Sequence, residues 1–281
     1  MHRLAARLGL GGLGGLVLLS LACRPSEGST TAPEPASSTP EGTAASDTAR
    51  AERTPIEPSP QAQAIVDAAD RPERDRAIDV RRRPAELLTF LQVEPGMRVA
   101  DLMAGSGYTT ELLSRSVGPE GVVFAQNNAF ARDNIVKGAL TKRLERDVLA
   151  NVVEVAAELE DPLPPEAKDL DLVTICFSYH DAVVLGADTA ALNRAVFDAL
   201  APGGRYVVLD HAAPAGTPAS AAKALHRLDE ALVVQEVTAA GFERGRTSDF
   251  LRDPSDDMTK AAFGIGFQTD RFVLEFIKPK T

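Results

Sequence analysis

The stretch from Val93 to Leu113, VEPGMRVADLMAGSGYTTELL, decides the fold, because it joins a short apolar strand to a glycine-rich turn and a helix start. Residues 98–103 predict a buried parallel strand. Gly105 and Gly107 let the backbone turn tightly, and one of the two threonines after the turn can cap the helix. A ligand can approach the backbone amides at the positive end of such a helix. The stretch therefore predicts a cradle for a nucleotide cofactor.

The spacing within this stretch resembles motif I of class I S-adenosylmethionine (SAM)-dependent methyltransferases. In that motif an acidic residue ending the first strand is followed by three glycines at alternate positions. Asp101 is the acidic residue here, Gly105 and Gly107 match the second and third glycines, and Met103 stands where the first is usual. The pattern differs from the GxGxxG of dinucleotide-binding enzymes. The resemblance implies SAM as cofactor, held by Asp101, Ala104, Gly105, Ser106 and Gly107.

Residues 1–22 have the layout of a bacterial export signal, with two arginines before an apolar run. The run from 8 to 21 is shorter than the roughly 20 residues that a membrane span needs. Its ending, LSLAC at 19–23, resembles a lipobox, which implies lipidation of Cys23. An ordinary secretory signal with an incidental cysteine is the alternative. We expect a lipoprotein facing the periplasm, on the outer membrane because Arg24 follows Cys23.

Residues 23–60 are rich in Pro, Ser, Thr, Ala and Glu and predict a disordered tether, since they bury too little apolar surface to offset the entropy of ordering. A single α/β domain is predicted over 61–281, with a helical lead-in over 61–91. The charge run 71–83 within this lead-in predicts a solvated helix face, and the resemblance implies the alternative that the segment closes over the cofactor, as in many methyltransferases. Cys176 has no disulfide partner if Cys23 is acylated.

The overall charge is acidic, with 30 basic and 40 acidic residues. Removing the signal takes away two arginines, which leaves 28 against 40, a net charge of −12. This balance disfavours nucleic acid and direct adhesion to anionic lipid, so membrane attachment is expected only through the anchor. A small-molecule substrate is the expected partner, and the sequence indicates no particular oligomeric state.

The domain alternates predicted strands and helices, which is the seven-stranded, Rossmann-like order of the methyltransferase family with helices on both faces of the sheet. Strands are predicted over 98–103, 121–126, 151–156, 170–177, 205–209, 243–248 and 271–277. Helices are predicted over 108–117, 129–149, 189–200 and 218–240.

Polar residues after strands two and three complete the predicted cofactor site, because ligands in such sheets bind beyond the carboxyl ends of the strands. The family places an acidic residue after strand two to hold the ribose, and Asn127 occupies the corresponding position. Glu158, after strand three, corresponds to the residue near the adenine amine. An ordinary acidic surface loop is the alternative for Glu158.

The histidines outside the signal are three, and all are predicted near the same rim of the sheet. His180 follows strand four, His211 follows strand five, and His226 is predicted to head a helix. A neutral imidazole can take the proton from a methyl acceptor. The predicted catalytic residues are His180 oriented by Asp181 as the preferred base, His211 with Asp210 as the second choice, and Tyr179 beside the acceptor or the methyl group. A position in the core is the alternative for Tyr179.

The same side chains allow a metal site, but no close ligand spacing in the sequence supports one, so no metal is predicted. The sequence thus predicts SAM-dependent methyl transfer to a small molecule with a histidine base. The alternative is a non-catalytic envelope protein that keeps the fold and binds another ligand, a reading favoured by Met103 and Asn127.

Overall fold

The computed structural model describes residues 56–266 and 268–280. The predicted export signal, the lipidation site Cys23 and all but the last residues of the predicted tether lie outside this range. Within the described residues no helix is long and apolar enough to cross a membrane.

A seven-stranded sheet with the order β3-β2-β1-β4-β5-β7-β6 forms the centre of the domain. The first five strands pair in parallel, whereas β7 is antiparallel to both β5 and β6. This confirms the predicted Rossmann-like α/β fold with its final strand pair. The strands are β1 Arg98–Leu102, β2 Val122–Asn127, β3 Val152–Ala156, β4 Leu170–Cys176, β5 Leu200–His211, β6 Glu243–Ser248 and β7 Arg271–Ile277.

Nine α-helices surround the sheet within the described residues. The lead-in divides into three helices at two prolines, because Pro72 is the N-cap of the second helix and Pro84 begins the third. The helices are α1 Pro60–Val66, α2 Glu73–Arg82, α3 Pro84–Leu91, α4 Tyr108–Val117, α5 Ala139–Arg143, α6 Tyr179–Leu185, α7 Thr189–Ala199, α8 Ala222–Leu225 and α9 Glu230–Ala239.

Two long predicted helices are wrong, because left-handed residues interrupt them. The segment 129–149 divides at Lys137 and Gly138, with φ of 46° and 77°, into a π-helix, α5 and a 3-10 turn. The segment 218–240 divides at His226, with φ of 49°, into α8 and α9. His226 therefore ends a short helix instead of heading a long one.

Strand ends also differ from the predictions, for a related reason. Met103 and Phe177 have φ of 51° and 59°, so β1 and β4 each end one residue early. The residues after Phe177 form the unpredicted helix α6. Strand β5 is longer than predicted because it pairs with β4 on one side and β7 on the other.

The core lies on both faces of the sheet, as a mainly parallel sheet requires. On one face α7 and α9 pack through Leu192 and Val233 against residues such as Leu102. On the other face α3 packs through Phe90 and Leu91 against the neighbouring strand residues. The carboxyl ends of β1, β2, β4 and β5 consequently meet at one edge, where the predicted site residues lie.

Candidate functional site

The turn after β1 is held in place by the side chain of a β2 residue. Met103, although not glycine, adopts the left-handed conformation, and its backbone N–H donates to Gln126 Oε1 at 3.0 Å. Gly107 has φ of 85°, and a Cβ there would lie 2.8 Å from Leu140 Cδ1. Glycine at position 107 is therefore required by both conformation and packing. The usual first glycine of motif I is replaced at the cost of local strain that Gln126 helps to offset.

Asn127 is placed beside the turn, but its amide is engaged by the protein. The N–H of Gly105 donates to Asn127 Oδ1 at 2.9 Å, and Asn127 Nδ2 donates to the Gly105 carbonyl at 3.0 Å. Asn127 is 3% exposed. The structure thus brings Asn127 to the predicted edge, where its contacts hold the glycine turn in place of the predicted ribose.

Asp101 lies beneath the turn and is buried. Its carboxylate accepts hydrogen bonds from Thr110 Oγ1 at 2.7 Å and Thr174 Oγ1 at 3.1 Å. Burial raises the pKa of Asp101 to about 6, although both threonines and Arg82 favour the charged form. A cationic ligand in the cradle would balance the negative charge of the Asp101 carboxylate.

A cradle cavity of about 150 Å³ opens above the turn. Arg82 extends into it from α2, with its guanidinium 4.8 Å from the ring centroid of Tyr108 and 5.0 Å from that of Phe177. No hydrogen bond or ion pair joins Arg82 to another described residue, and burial lowers its pKa. The cradle cavity is lined by Arg82, Asp101, Met103, Ala104, Gly105, Ser106, Tyr108, Thr109, Cys176, Phe177 and Ser178.

Helix α2 is joined to neighbouring helices by buried ion pairs, so the prediction of a solvated face for 71–83 is wrong at Arg71 and Asp75, which are buried. Arg143 Nη1 lies 2.6 Å from Asp75 and 2.9 Å from Glu111, and all three side chains are at most 6% exposed. Arg71 pairs with Asp79 at 2.8 Å. The sequence alone did not reveal Arg82 as a site residue, because its partners are distant in the chain.

A second cavity of about 500 Å³, here called the histidine cavity, lies beside the cradle. It brings together all the histidines that were predicted near one rim. The ring centroid of His180 lies 5.7 Å from that of His211 and 5.3 Å from that of His226. The histidine cavity is lined by Ile78, Arg81, Arg82, Ile135, Phe177, His180, Asp181, His211, His226, Phe263 and Arg271.

Asp210 is the buried residue that organises the histidine cavity. Its Oδ1 lies 2.7 Å from His180 Nδ1, and its Oδ2 accepts from the His180 backbone N–H at 2.7 Å. The His211 N–H also donates to Asp210. Asp181 lies on the other side of the His180 ring, 3.2 Å from Nε2. His180 is thus oriented chiefly by Asp210, whereas the sequence interpretation gave that role to Asp181.

The two strand-end histidines have opposite electrostatic environments. Burial disfavours the charged form of His180, but Asp210 and Asp181 outweigh it and raise the pKa of His180 to about 10. Burial lowers the pKa of His211 to about 4, and Asp210 only partly opposes the effect. His211 Nδ1 faces the hydroxyl of Thr269 at 2.6 Å. Near neutral pH His180 therefore holds its proton, whereas His211 is uncharged.

The other predicted site residues lie outside the histidine cavity. Tyr179 is fully buried, and its hydroxyl donates to Glu236 and accepts from Asn193, both at 2.8 Å. Glu158 is exposed and accepts a hydrogen bond from the Ala129 N–H at 3.2 Å. It lines a separate small cavity with Asn128 and Phe130. The placement of Tyr179 does not support a contact with an acceptor.

The residues present fit SAM. The glycine turn leaves open space at Gly105, where a Cβ would meet nothing within 4 Å. Arg82 can pair with a carboxylate, Asp101 offers negative charge nearby, and α4 begins directly after the turn. The sheet order and this cofactor edge define a class I SAM-dependent methyltransferase, with SAM as its cofactor.

Comparison with known families agrees with this class. Residues 50–239, more than half of the chain, match the model of the protein-L-isoaspartate (D-aspartate) O-methyltransferase family. The chain belongs to this family.

Proteins similar in sequence include the ubiquinone/menaquinone biosynthesis C-methyltransferases of Shewanella oneidensis and Idiomarina loihiensis. Each is 36% identical over 43% of the chain. The chain spans about 45% of the length of these relatives.

Solved structures show the same fold. A SAM-dependent methyltransferase from Aquifex aeolicus has a TM-score of 0.52 and 17% identity, covering 76% of this chain and 96% of its own. An arsenic(III) methyltransferase from Chlamydomonas reinhardtii has a TM-score of 0.53 and 18% identity, covering 80% and 75%.

Proposed function

We propose that this protein transfers the methyl group of SAM to a small molecule that binds in the histidine cavity. The observation that carries the proposal is a shared wall: Arg82 and Phe177 line both the cradle cavity and the histidine cavity. A donor in one cavity and an acceptor in the other would therefore be neighbours. Holding two reactants side by side supplies much of the rate in such a transfer.

The residues that would hold SAM are those of the cradle. Arg82 would bind the carboxylate, because its guanidinium has no hydrogen-bond or ion-pair partner among the described residues. Asp101 would balance positive charge from below, and Glu158, outside the cradle cavity, would lie near the adenine amine. When bound, SAM supplies an electrophilic methyl group, and the broken carbon–sulfur bond leaves its electron pair on sulfur.

The acceptor's lone pair forms the new bond, and its proton goes to a histidine. We assign this role to His211. This residue lines the histidine cavity, and its Nδ1 faces the Thr269 hydroxyl. Both ring nitrogens of His180 instead lie within 3.2 Å of carboxylate oxygens, which hold the ring as a donor on both sides. A ring in that state has no lone pair to accept a proton, and it would bind a metal ion at Nε2 only by releasing the proton held there.

Calorimetric titration of the full chain with SAM, S-adenosylhomocysteine and 5′-methylthioadenosine tests the cofactor site. The last compound lacks the carboxylate, so Arg82→Ala should weaken SAM binding about 10- to 100-fold and leave 5′-methylthioadenosine unchanged. Arg74→Ala is the control, since Arg74 lies on the same helix with its side chain 64% exposed. Absence of heat with millimolar SAM would overturn the proposal.

Turnover is tested separately with methyl-labelled SAM and a small-molecule extract of the cell envelope. Label should appear in an extracted compound, and His211→Ala should lower the rate about 100-fold or more while SAM binding persists. Tight SAM binding without any transfer would favour the alternative, a non-catalytic ligand-binding protein.

We also propose that the domain works in the cell envelope, anchored through Cys23. The sequence of residues 1–23 supports this proposal. Labelled palmitate should enter the wild-type chain and be absent from Cys23→Ser. Equal labelling of both chains, or of neither, would contradict the anchor.

A further inference from the structure

The histidine cavity contains a group of side chains that no methyl-transfer role explains. His180 Nε2 lies 3.2 Å from Asp181 Oδ1, and His226 Nδ1 lies 3.8 Å from the same oxygen. The three ligand atoms all lie within 4.8 Å of one another. Ligands bound at about 2.1 Å to one ion are about 3.0 to 3.4 Å apart, so small side-chain rotations would close the group on a metal.

We propose that His180, Asp181 and His226 bind one divalent transition-metal ion of the zinc type, with Asp210 orienting His180. Two imidazoles and one carboxylate are typical ligands of catalytic zinc, where a further position stays open to solvent or substrate. The imidazole nitrogens favour such an ion over Mg²⁺ or Ca²⁺, which prefer oxygen ligands.

Asp210 supplies the support that a metal-binding histidine requires. It is fully buried and holds His180 through both the ring Nδ1 and the backbone N–H, each at 2.7 Å. This arrangement leaves Nε2 as the ring atom directed to Asp181. A carboxylate behind the ring is the usual second partner of a metal-bound histidine, because it sets the tautomer and orientation.

His226 is held over the cavity by its own neighbours. It ends α8 in the left-handed conformation, with φ of 49°, which is uncommon for a residue other than glycine. The next residue, Arg227, is fully buried and pairs with Asp256 at 2.7 Å. The His226 ring packs edge-on against Phe263 with centroids 5.1 Å apart. The turn is thus fixed by packing that keeps the imidazole near Asp181.

The charge around the group is mixed. Asp181 within the group and Asp210 behind His180 supply two carboxylates, whereas Arg81, Arg82 and Arg271 line the rest of the cavity. These arginines disfavour a hard cation held by charge alone, so the imidazole bonds would provide the affinity. The arginines would instead attract an anionic acceptor toward the ion, and this last role rests on the proposed function.

Metal binding is tested on the untagged full chain, stripped with a chelator and titrated with Co²⁺ and then Zn²⁺. We expect the chain to bind one equivalent of Co²⁺ and to show the visible absorption of a Co²⁺ ion with a low coordination number. Zn²⁺ should abolish this absorption. His226→Ala and Asp181→Asn should each lower the affinity at least about 100-fold, and Asp210→Asn about 10- to 100-fold. Circular dichroism checks that each variant is folded.

His211→Ala is the matched control, because it removes a histidine of the same cavity that is not one of the three proposed ligands. It should keep the metal affinity within about threefold. Equal loss in the control, or no binding by the wild type, would overturn the proposal. Metal binding is measured without SAM, so a chain that binds SAM but no metal overturns only this inference, and the reverse result overturns only the proposed function.

Discussion

The cradle cavity and the histidine cavity share a wall, yet they are built in opposite ways. The cradle is formed chiefly by one stretch of the chain, residues 101–109, with Arg82 and residues 176–178 completing it, and backbone N–H groups of Met103 and Gly105 donate to side chains of β2. The histidine cavity is formed by side chains from distant segments, brought together around the buried Asp210. The first should therefore depend on backbone conformation and its supports, and the second on individual side chains.

The support of the cradle is tested most strongly by Arg143→Ala. This change removes the arginine that is hydrogen-bonded to the buried Asp75 and one of three arginines that pair with the buried Glu111, which should lower the free energy of unfolding by about 3–5 kcal/mol. Urea denaturation measures the loss. Arg194→Ala is the control, since that exposed arginine is 4.0 Å from Asp198 and should contribute about 0–1 kcal/mol. Similar losses in both variants would show that the ion cluster does not support the cradle.

Asp101→Asn tests whether the buried charge of Asp101 destabilises the folded chain. Its pKa is raised from 3.8 to about 6, so the stabilisation by this group is present below pH 3.8 and is lost as the pH rises through 6. The variant should be more stable than the wild type at pH 8 by up to roughly 3 kcal/mol, and equal below about pH 4. Thermal unfolding across pH measures this difference, and SAM affinity should fall. A gain in stability at pH 3 equal to that at pH 8 would contradict the explanation.

Asn127→Asp restores the acidic residue of the wider family, and here we expect it to be harmful. The variant replaces the donor to the Gly105 carbonyl by an oxygen, so it should lose about 1–3 kcal/mol of stability. Denaturant unfolding and SAM titration on the same protein are the measurements. Unchanged stability with tighter SAM binding would show that Asn127 occupies the ribose position after all.

Thr269→Val tests the histidine cavity alone and has the smallest expected effect on stability. It removes the hydroxyl that faces His211 Nδ1, which should lower stability by about 0.5–1.5 kcal/mol. Methyl transfer should fall while SAM affinity stays unchanged, and Thr269→Ser should restore the rate. An equal loss of SAM affinity would mean that the two cavities are not separable in this way.

Prediction from sequence succeeded where local pattern determines structure. The strand, glycine turn and helix of 98–117 were predicted almost residue by residue, because the apolar run and the spaced glycines lie within one short stretch of sequence. It was wrong where single residues adopt left-handed conformations, as at Lys137 and His226. Gly138 marks the first break in the sequence, whereas nothing in the residue type marks the break at His226.

Placement of polar side chains was the least predictable feature. Arg82, taken as part of a solvated run, extends into the cradle, and Tyr179, expected beside the acceptor, lies in the core. Both depend on which way a helix faces once it is packed. Met103 explains how the chain keeps the turn without the first glycine, through a hydrogen bond to Gln126 that no local pattern indicates.

The sequence by itself determined the class of fold and the edge of the sheet where a cofactor binds, because strand order and carboxyl-end placement follow from the alternation of elements along the chain. Only the tertiary structure decided which polar groups face the cavities. Asp210 lies 30 positions from His180 and Arg143 lies 68 from Asp75, so these pairings exist only after the chain has folded. Buried charges find partners through space, and distance along the chain carries no information about that choice.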